Sequence, residues 1–178
     1  MTRGRRIALG FGVALLVLVA DQVSKWWVLG ALQQPGRSTI EILPVLDLVL
    51  VRNAGITFGL FRADSTAGSA VLTVAALAVI TGIVIWMLRV ERWLMTVALG
   101  AIAGGAVGNV IDRVRYGSVV DFIHAHAFGY EWYVFNVADA AIVCGVATLL
   151  LDGLRGKRGW PTCRRSAGSL TRRRQRDR

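Results

Sequence analysis

Charge is scarce in this chain and negative charge scarcer: 18% of its 178 residues are charged, with 11 acids against 21 bases. Together with 54% hydrophobic residues and a mean hydropathy of +0.54, that shortage excludes an ordinary soluble domain of this length. There are only two cysteines, Cys144 inside an apolar run and Cys163 in a basic tail, so a disulfide framework is excluded and two free thiols are expected. The only histidines are His124 and His126, and their nearest serine is Ser118, a poor basis for Ser–His chemistry. A basic face through the middle of the chain is also missing. Most of the +10 net charge gathers at Arg3, Arg5 and Arg6, at Arg89 and Arg92, at Arg113 and Arg115, and from Arg155 to Arg178. No nucleic-acid partner is expected from that distribution.

What the chain does have is long hydrophobic runs. Ala70 to Leu88 contains no charge, and the only strongly polar member of Leu94 to Ile111 is Asn109. Both have the length of a membrane-crossing helix, about 20 residues for a hydrocarbon core of about 30 Å. A first span runs from Ile7 to Ala20, is interrupted by Asp21, Gln22, Ser24 and Lys25, and resumes from Trp26 to Leu32. Leu18 and Ala20 would precede a signal-peptide cut, and Leu18 fits the small-residue rule poorly, so this helix is read as uncleaved. A fourth span is expected from about Trp132 to Leu151, with Asn136 and Asp139 near its start.

Basic residues mark the cytoplasmic side. The amino terminus, the Arg89 to Arg92 turn and the carboxyl tail share one side only if there are four spans. Both termini are then cytoplasmic, and loops 33–68 and 112–131, with most of the acids in them or at their borders, face outward. Residues 1–156 form the membrane domain, and 157–178 a basic, disordered cytoplasmic tail. In the first outer loop, Thr39 to Val51 and Ile56 to Phe61 are β-branched runs flanking Arg52-Asn53-Ala54-Gly55, which predicts a small sheet resting on the helices.

An acid at the centre of a spanning helix costs about 2.5 to 3.5 kcal/mol on insertion scales, so each one needs an explanation. Asp21 and Lys25 share a helix face as a pair that neutralises itself or belongs to a site. Gly100, Gly104 and Gly108 form a small-residue stripe for close helix approach, with Asp112 one step further on. Asn109, Asp112 and Arg113 gather at the outer end of that helix, where Asp112 and Arg113 can form an ion pair. Asn136 and Asp139 share a face about one turn below the outer surface, and Asp121 can return to the same depth. The two acids are either helix caps or a pair. Two close carboxylates cannot both ionise easily, so they offer a base and an acid at one pH, the arrangement that activates water against an amide. Asp121, His124 and His126 are an alternative metal set. A transporter or proton relay is the rival function, although four spans without an internal repeat make a poor transport path.

Five segments occur in order: Asp21-Gln22-Val23-Ser24-Lys25, Asn53-Ala54-Gly55-Ile56-Thr57-Phe58-Gly59, Gly104 to Arg113, Val119-Val120-Asp121-Phe122, and Phe135-Asn136-Val137-Ala138-Asp139. Together they resemble the motif blocks of lipoprotein signal peptidase, the bacterial signal peptidase II, over roughly Asp21 to Leu151. The resemblance implies an α-helical integral membrane protein with four transmembrane helices, a small extracytoplasmic β-cradle and a short outer helix. It implies an intramembrane aspartyl endopeptidase of the bacterial inner membrane, cutting diacylglyceryl-modified prolipoproteins just before the lipidated cysteine. Carried over by residue, Asp121 and Asp139 are the catalytic dyad. Asp21, Lys25, Asn53, Gly55, Asn109, Asp112, Arg113, Asn136 and Ala138 support the dyad, substrate and lipid. The implied partners are prolipoproteins and membrane lipids, the expected state is a monomer, and no metal or cofactor is implied. The chain departs from the family between Asp121 and Asp139, where Trp132-Tyr133-Val134 replaces an expected proline and leaves the shape of the outer helix open.

Overall fold

The computed structural model describes residues 1–33, 38–55 and 66–156. Four helices within them are long and apolar enough to cross a membrane. In chain order the elements are α1 (Arg3–Leu32), β1 (Thr39–Leu43), β2 (Leu46–Asn53), α2 (Thr66–Arg89), α3 (Trp93–Tyr116), β3 (Val119–Ala127), β4 (Tyr130–Glu131) and α4 (Val137–Gly156). The expected strand at Ile56 to Phe61 and the tail at 157–178 lie outside the described residues.

The interruption in the first apolar run follows from helix length. With 30 residues α1 is about 45 Å long, which exceeds a hydrocarbon core of about 30 Å. Its apolar first part faces outward, as Leu15, Leu16 and Val19 do. Its last turns emerge under the sheet, where Val28 and Leu32 pack with Leu48 and Phe122. Exposed Trp86 and Trp93 lie beside the α2–α3 turn, and exposed Trp26, Trp27, Tyr130 and Trp132 belong to the segments nearest the sheet. Aromatic girdles of this kind suit the two membrane–water boundaries.

Helix α3 is the central element, and glycines let it be so. A Cβ on Gly104 would run into the backbone carbonyl oxygen of Ala14 and stand 2.8 Å from its Cα. Backbone cannot yield as a flexible side chain can. Gly104→Ala should therefore cost on the order of 1–3 kcal/mol by overpacking, read as a lowered melting temperature in detergent. At the end away from the sheet, Arg6 donates to the carbonyl of Glu91 at 3.2 Å, and Arg92 pairs with Asp152 at 2.6 Å, tying α1 and α4 to the α2–α3 turn.

The sheet has the order β1-β2-β3-β4 and is antiparallel throughout. It draws on both outer loops, whereas the sequence indicated only the first. The short outer helix between Asp121 and Asp139 is corrected: among the described residues that segment holds β3 and β4, joined by a two-residue turn at Phe128 and Gly129, both with positive φ. Such a turn matches the twist of a tight hairpin. The fourth helix starts at Val137, not near Trp132, because Phe135 pairs with Ile123 and Asn136 caps the helix.

Candidate active site

Asp21 and Lys25, one helical turn apart on α1, sit under the sheet and are both almost fully buried. The Lys25 ammonium has three N–H groups and three acceptors. They are Asp21 Oδ2 at 2.8 Å, Asp112 Oδ2 at 2.7 Å and Asn109 Oδ1 at 3.1 Å. Each aspartate also accepts a backbone N–H from another element, Asp21 that of Ala138 at 3.0 Å and Asp112 that of Val120 at 3.1 Å. The Ala138 amide is one of the N–H groups that α4 cannot satisfy internally at its start. The two readings of Asp21 and Lys25 therefore merge: the pair neutralises itself, and it fixes α1 to α3, β3 and α4. The expected Asp112–Arg113 ion pair is corrected, since Asp112 pairs with Lys25. Arg113 donates to the carbonyls of Asn109 and Gly55, at 3.4 and 3.3 Å.

Three asparagines surround the two acids, and the direction of each amide follows from a donor that cannot accept. Lys25 requires the oxygen of Asn109, which turns the Asn109 NH₂ to Asp139 Oδ1 at 2.9 Å. The Asp139 backbone N–H requires the oxygen of Asn136, which turns that NH₂ to Asp121 Oδ1 at 2.7 Å. The Gly55 N–H requires the oxygen of Asn53, which turns its NH₂ to Asp121 Oδ2 at 2.9 Å. Both oxygens of Asp121 therefore face N–H groups, and Asp139 Oδ2 in turn accepts the Asn136 N–H at 3.3 Å. The reciprocal Asn136–Asp139 bonds are a capping box at the start of α4.

The Asp121 carboxyl is pushed up to about 6. Burial is the main cause, the hydrogen bond from Asn53 opposes it, and the nearby charge of Asp139 raises it further. A carboxyl so placed keeps its proton to higher pH than a free aspartic acid.

Asp21, Lys25, Asn53, Gly55, Asn109, Asp112, Arg113, Asp121, Asn136, Ala138 and Asp139 all come to this one end of the bundle. Gln22, which the sequence shows as an interruption of the first apolar run and as part of a motif but not as a site residue, joins them. Its amide donates to Asp112 Oδ1 at 3.0 Å and to the Gly108 carbonyl at 3.3 Å. The signal that could have identified it is its place beside Asp21 in an otherwise apolar helix. Gly108 is needed for more than helix packing, because a Cβ there would overlap the Asp21 carboxylate. The histidines do not join Asp121. They converge on Asp47 instead, since Asp47 is paired across the sheet with His124 while Asp121 is paired with Val51.

The family model described as Signal peptidase (SPase) II matches residues 13–155. A lipoprotein signal peptidase of Rhodopseudomonas palustris (strain ATCC BAA-98 / CGA009) is 44% identical over 154 residues, covering 84% of this chain and 94% of the relative. One from Methylorubrum extorquens (strain PA1) is 46% identical over 144 residues, covering 80% and 84%. A bacterial membrane enzyme solved by the in meso method at 2.3 Å resolution superposes with a TM-score of 0.70 at 26% identity, covering 90% of this chain and 93% of that one.

Proposed function

Because the chain belongs to the signal peptidase II family, we propose that it removes signal peptides from diacylglyceryl-modified prolipoproteins as an aspartic endopeptidase, with Asp121 and Asp139 as its catalytic pair. The observation that carries this reading is the pair of carboxylates held by amide N–H groups from Asn53, Asn109 and Asn136 at one end of a four-helix membrane bundle. Neither the family nor the relatives lend support to a transporter or proton relay.

In the reaction one carboxylate takes a proton from water, which attacks the scissile carbonyl carbon. The other, protonated, carboxyl donates to the carbonyl oxygen. A proton then passes to the departing amine as the tetrahedral intermediate collapses. The asparagine amides hold both carboxylates in place without supplying a competing charge. The substrate's diacylglyceryl chains are solvated by the bilayer, so they hold the cleavage site at a fixed depth beside the dyad. Chemistry at the membrane edge gives water access that the hydrocarbon interior does not.

The gathering of arginines at Arg3, Arg5, Arg6, Arg89 and Arg92 supports an inner-membrane orientation with both termini cytoplasmic and the sheet and dyad extracytoplasmic. The same orientation makes residues 157–178 a cytoplasmic tail, and the chain is proposed to act as a monomer. Deleting that tail should leave the cleavage rate in detergent within about twofold, because the tail and the dyad lie on opposite sides of the membrane. An inserted but inactive truncated enzyme would contradict this topology.

The experiment that tests the function is cleavage of a purified, lipid-modified prolipoprotein in detergent, read by the loss of its signal peptide. Its pH profile tests the shared proton. Asp121, raised to about 6, keeps its proton at acid pH and loses it as the pH rises through that value. With both carboxyls protonated there is no base, and with both ionised there is no acid, so the rate should pass through a maximum whose limbs belong to the coupled pair. A rate that climbs steadily into alkaline pH would exclude a proton shared between carboxyls.

A further inference from the structure

The outer sheet carries a second convergence of side chains, away from the dyad. Asp47 on β2 stands directly across from His124 on β3, and His126 follows two residues along β3, on the same side of the strand. His126 Nε2 lies 2.9 Å from Asp47 Oδ2, a hydrogen bond. His124 Nδ1 faces the same oxygen from 4.0 Å, too far for one. Strand register brings His124 to Asp47 and a hydrogen bond holds His126 there, so two imidazole nitrogens and a carboxylate oxygen converge. Their spacing suits a metal ion. Two ligands bound about 2.0–2.1 Å from a tetrahedral ion stand about 3.3 Å apart, and the separations of 2.9 and 4.0 Å lie on either side of that value. All three ligand atoms lie within 4.8 Å of one another, so small side-chain rotations would centre an ion among them.

We propose that Asp47, His124 and His126 form a zinc site on the outer sheet, separate from the peptidase dyad. Two imidazoles and one carboxylate suit zinc, whereas calcium and magnesium prefer oxygen ligands alone. The three side chains are partly exposed, so an ion can enter from solvent. Three protein ligands leave the fourth position of a tetrahedral ion to water, which can reach it because the site is partly exposed. Asp121 is three residues before His124, about 10 Å along the strand, so the ion takes no part in the cleavage. Its effect is to brace β2 against β3, the two strands that carry Asn53 and Asp121 to the dyad. The site does not depend on the peptidase reading, since zinc binding is measured without substrate.

The test is calorimetric titration of the full, untagged chain in detergent with zinc, with magnesium as the control. One zinc per chain is expected, together with a higher melting temperature that EDTA reverses. The double variant His124→Gln/His126→Gln should bind at least about tenfold more weakly, as should Asp47→Asn, while a Cys144→Ser/Cys163→Ser variant binds as the parent does. A readout on the unaltered chain covers any variant that fails to fold. The chain has only 2 histidines, so zinc should protect both from acylation by diethyl pyrocarbonate. Absence of zinc binding, undiminished binding in the folded histidine variant, or histidines equally reactive with and without zinc would each overturn the site.

Discussion

Asp121→Asn and Asp139→Asn should each lower the cleavage rate by roughly 10³-fold or more while leaving the protein folded, because each removes one half of the proposed acid–base pair at nearly constant size. The fold tolerates the change for a reason visible in the network. Both oxygens of Asp121 accept N–H groups, from Asn53 and Asn136, so an asparagine there must set its own NH₂ against one of them. Asp139 has the same constraint between Asn109 and the Asn136 backbone. One lost hydrogen bond costs about 1–3 kcal/mol, which lowers the melting temperature without unfolding a protein of ordinary stability. Rate and melting temperature should be measured on the same preparation. A folded variant that retains full activity would remove that residue from the dyad.

The largest effect on stability is expected at Lys25. Lys25→Met leaves Asp21 and Asp112 buried together without their shared cation, and breaking a buried ion pair in this way costs about 3–5 kcal/mol. That is a large part of a typical domain's stability, so the variant should be recovered in low yield and melt well below the parent. Adding Asp112→Asn removes one of the two uncompensated charges, so the double variant should be more stable than Lys25→Met alone. A Lys25→Met protein as stable as the parent would show that the triad does not hold α1 to α3.

The triad and the asparagine network differ in how they could be read from sequence. Asp21 and Lys25 are one helical turn apart, so periodicity alone put them on one face. Nothing local indicated that their third member was Asp112, and the neighbouring pair Asp112–Arg113 looked the more plausible. Adjacent residues on a helix point about 100° apart, and the close approach of α1 to α3 at Gly108 brings Asp112 to Lys25 instead. Similarly, His124 and His126 could be seen as ligand types, but their acidic partner depended on strand register. One extra residue in β2 between Leu48 and Val51 aligns Asp47 with His124 and leaves Asp121 to the asparagines.

By itself the sequence determined that there are four spans, though not where the fourth begins, the polar interruption of the first apolar run at Asp21 and the five polar segments, because hydropathy and helical spacing act over a few neighbouring residues and need no partner. Only the tertiary structure decided that the second outer loop folds as β3 and β4 rather than as a helix, which acid pairs with which base, and that three asparagine amides point at two carboxylates. Those outcomes depend on groups far apart in the chain, whose hydrogen-bonding demands are met only when helices and strands pack together.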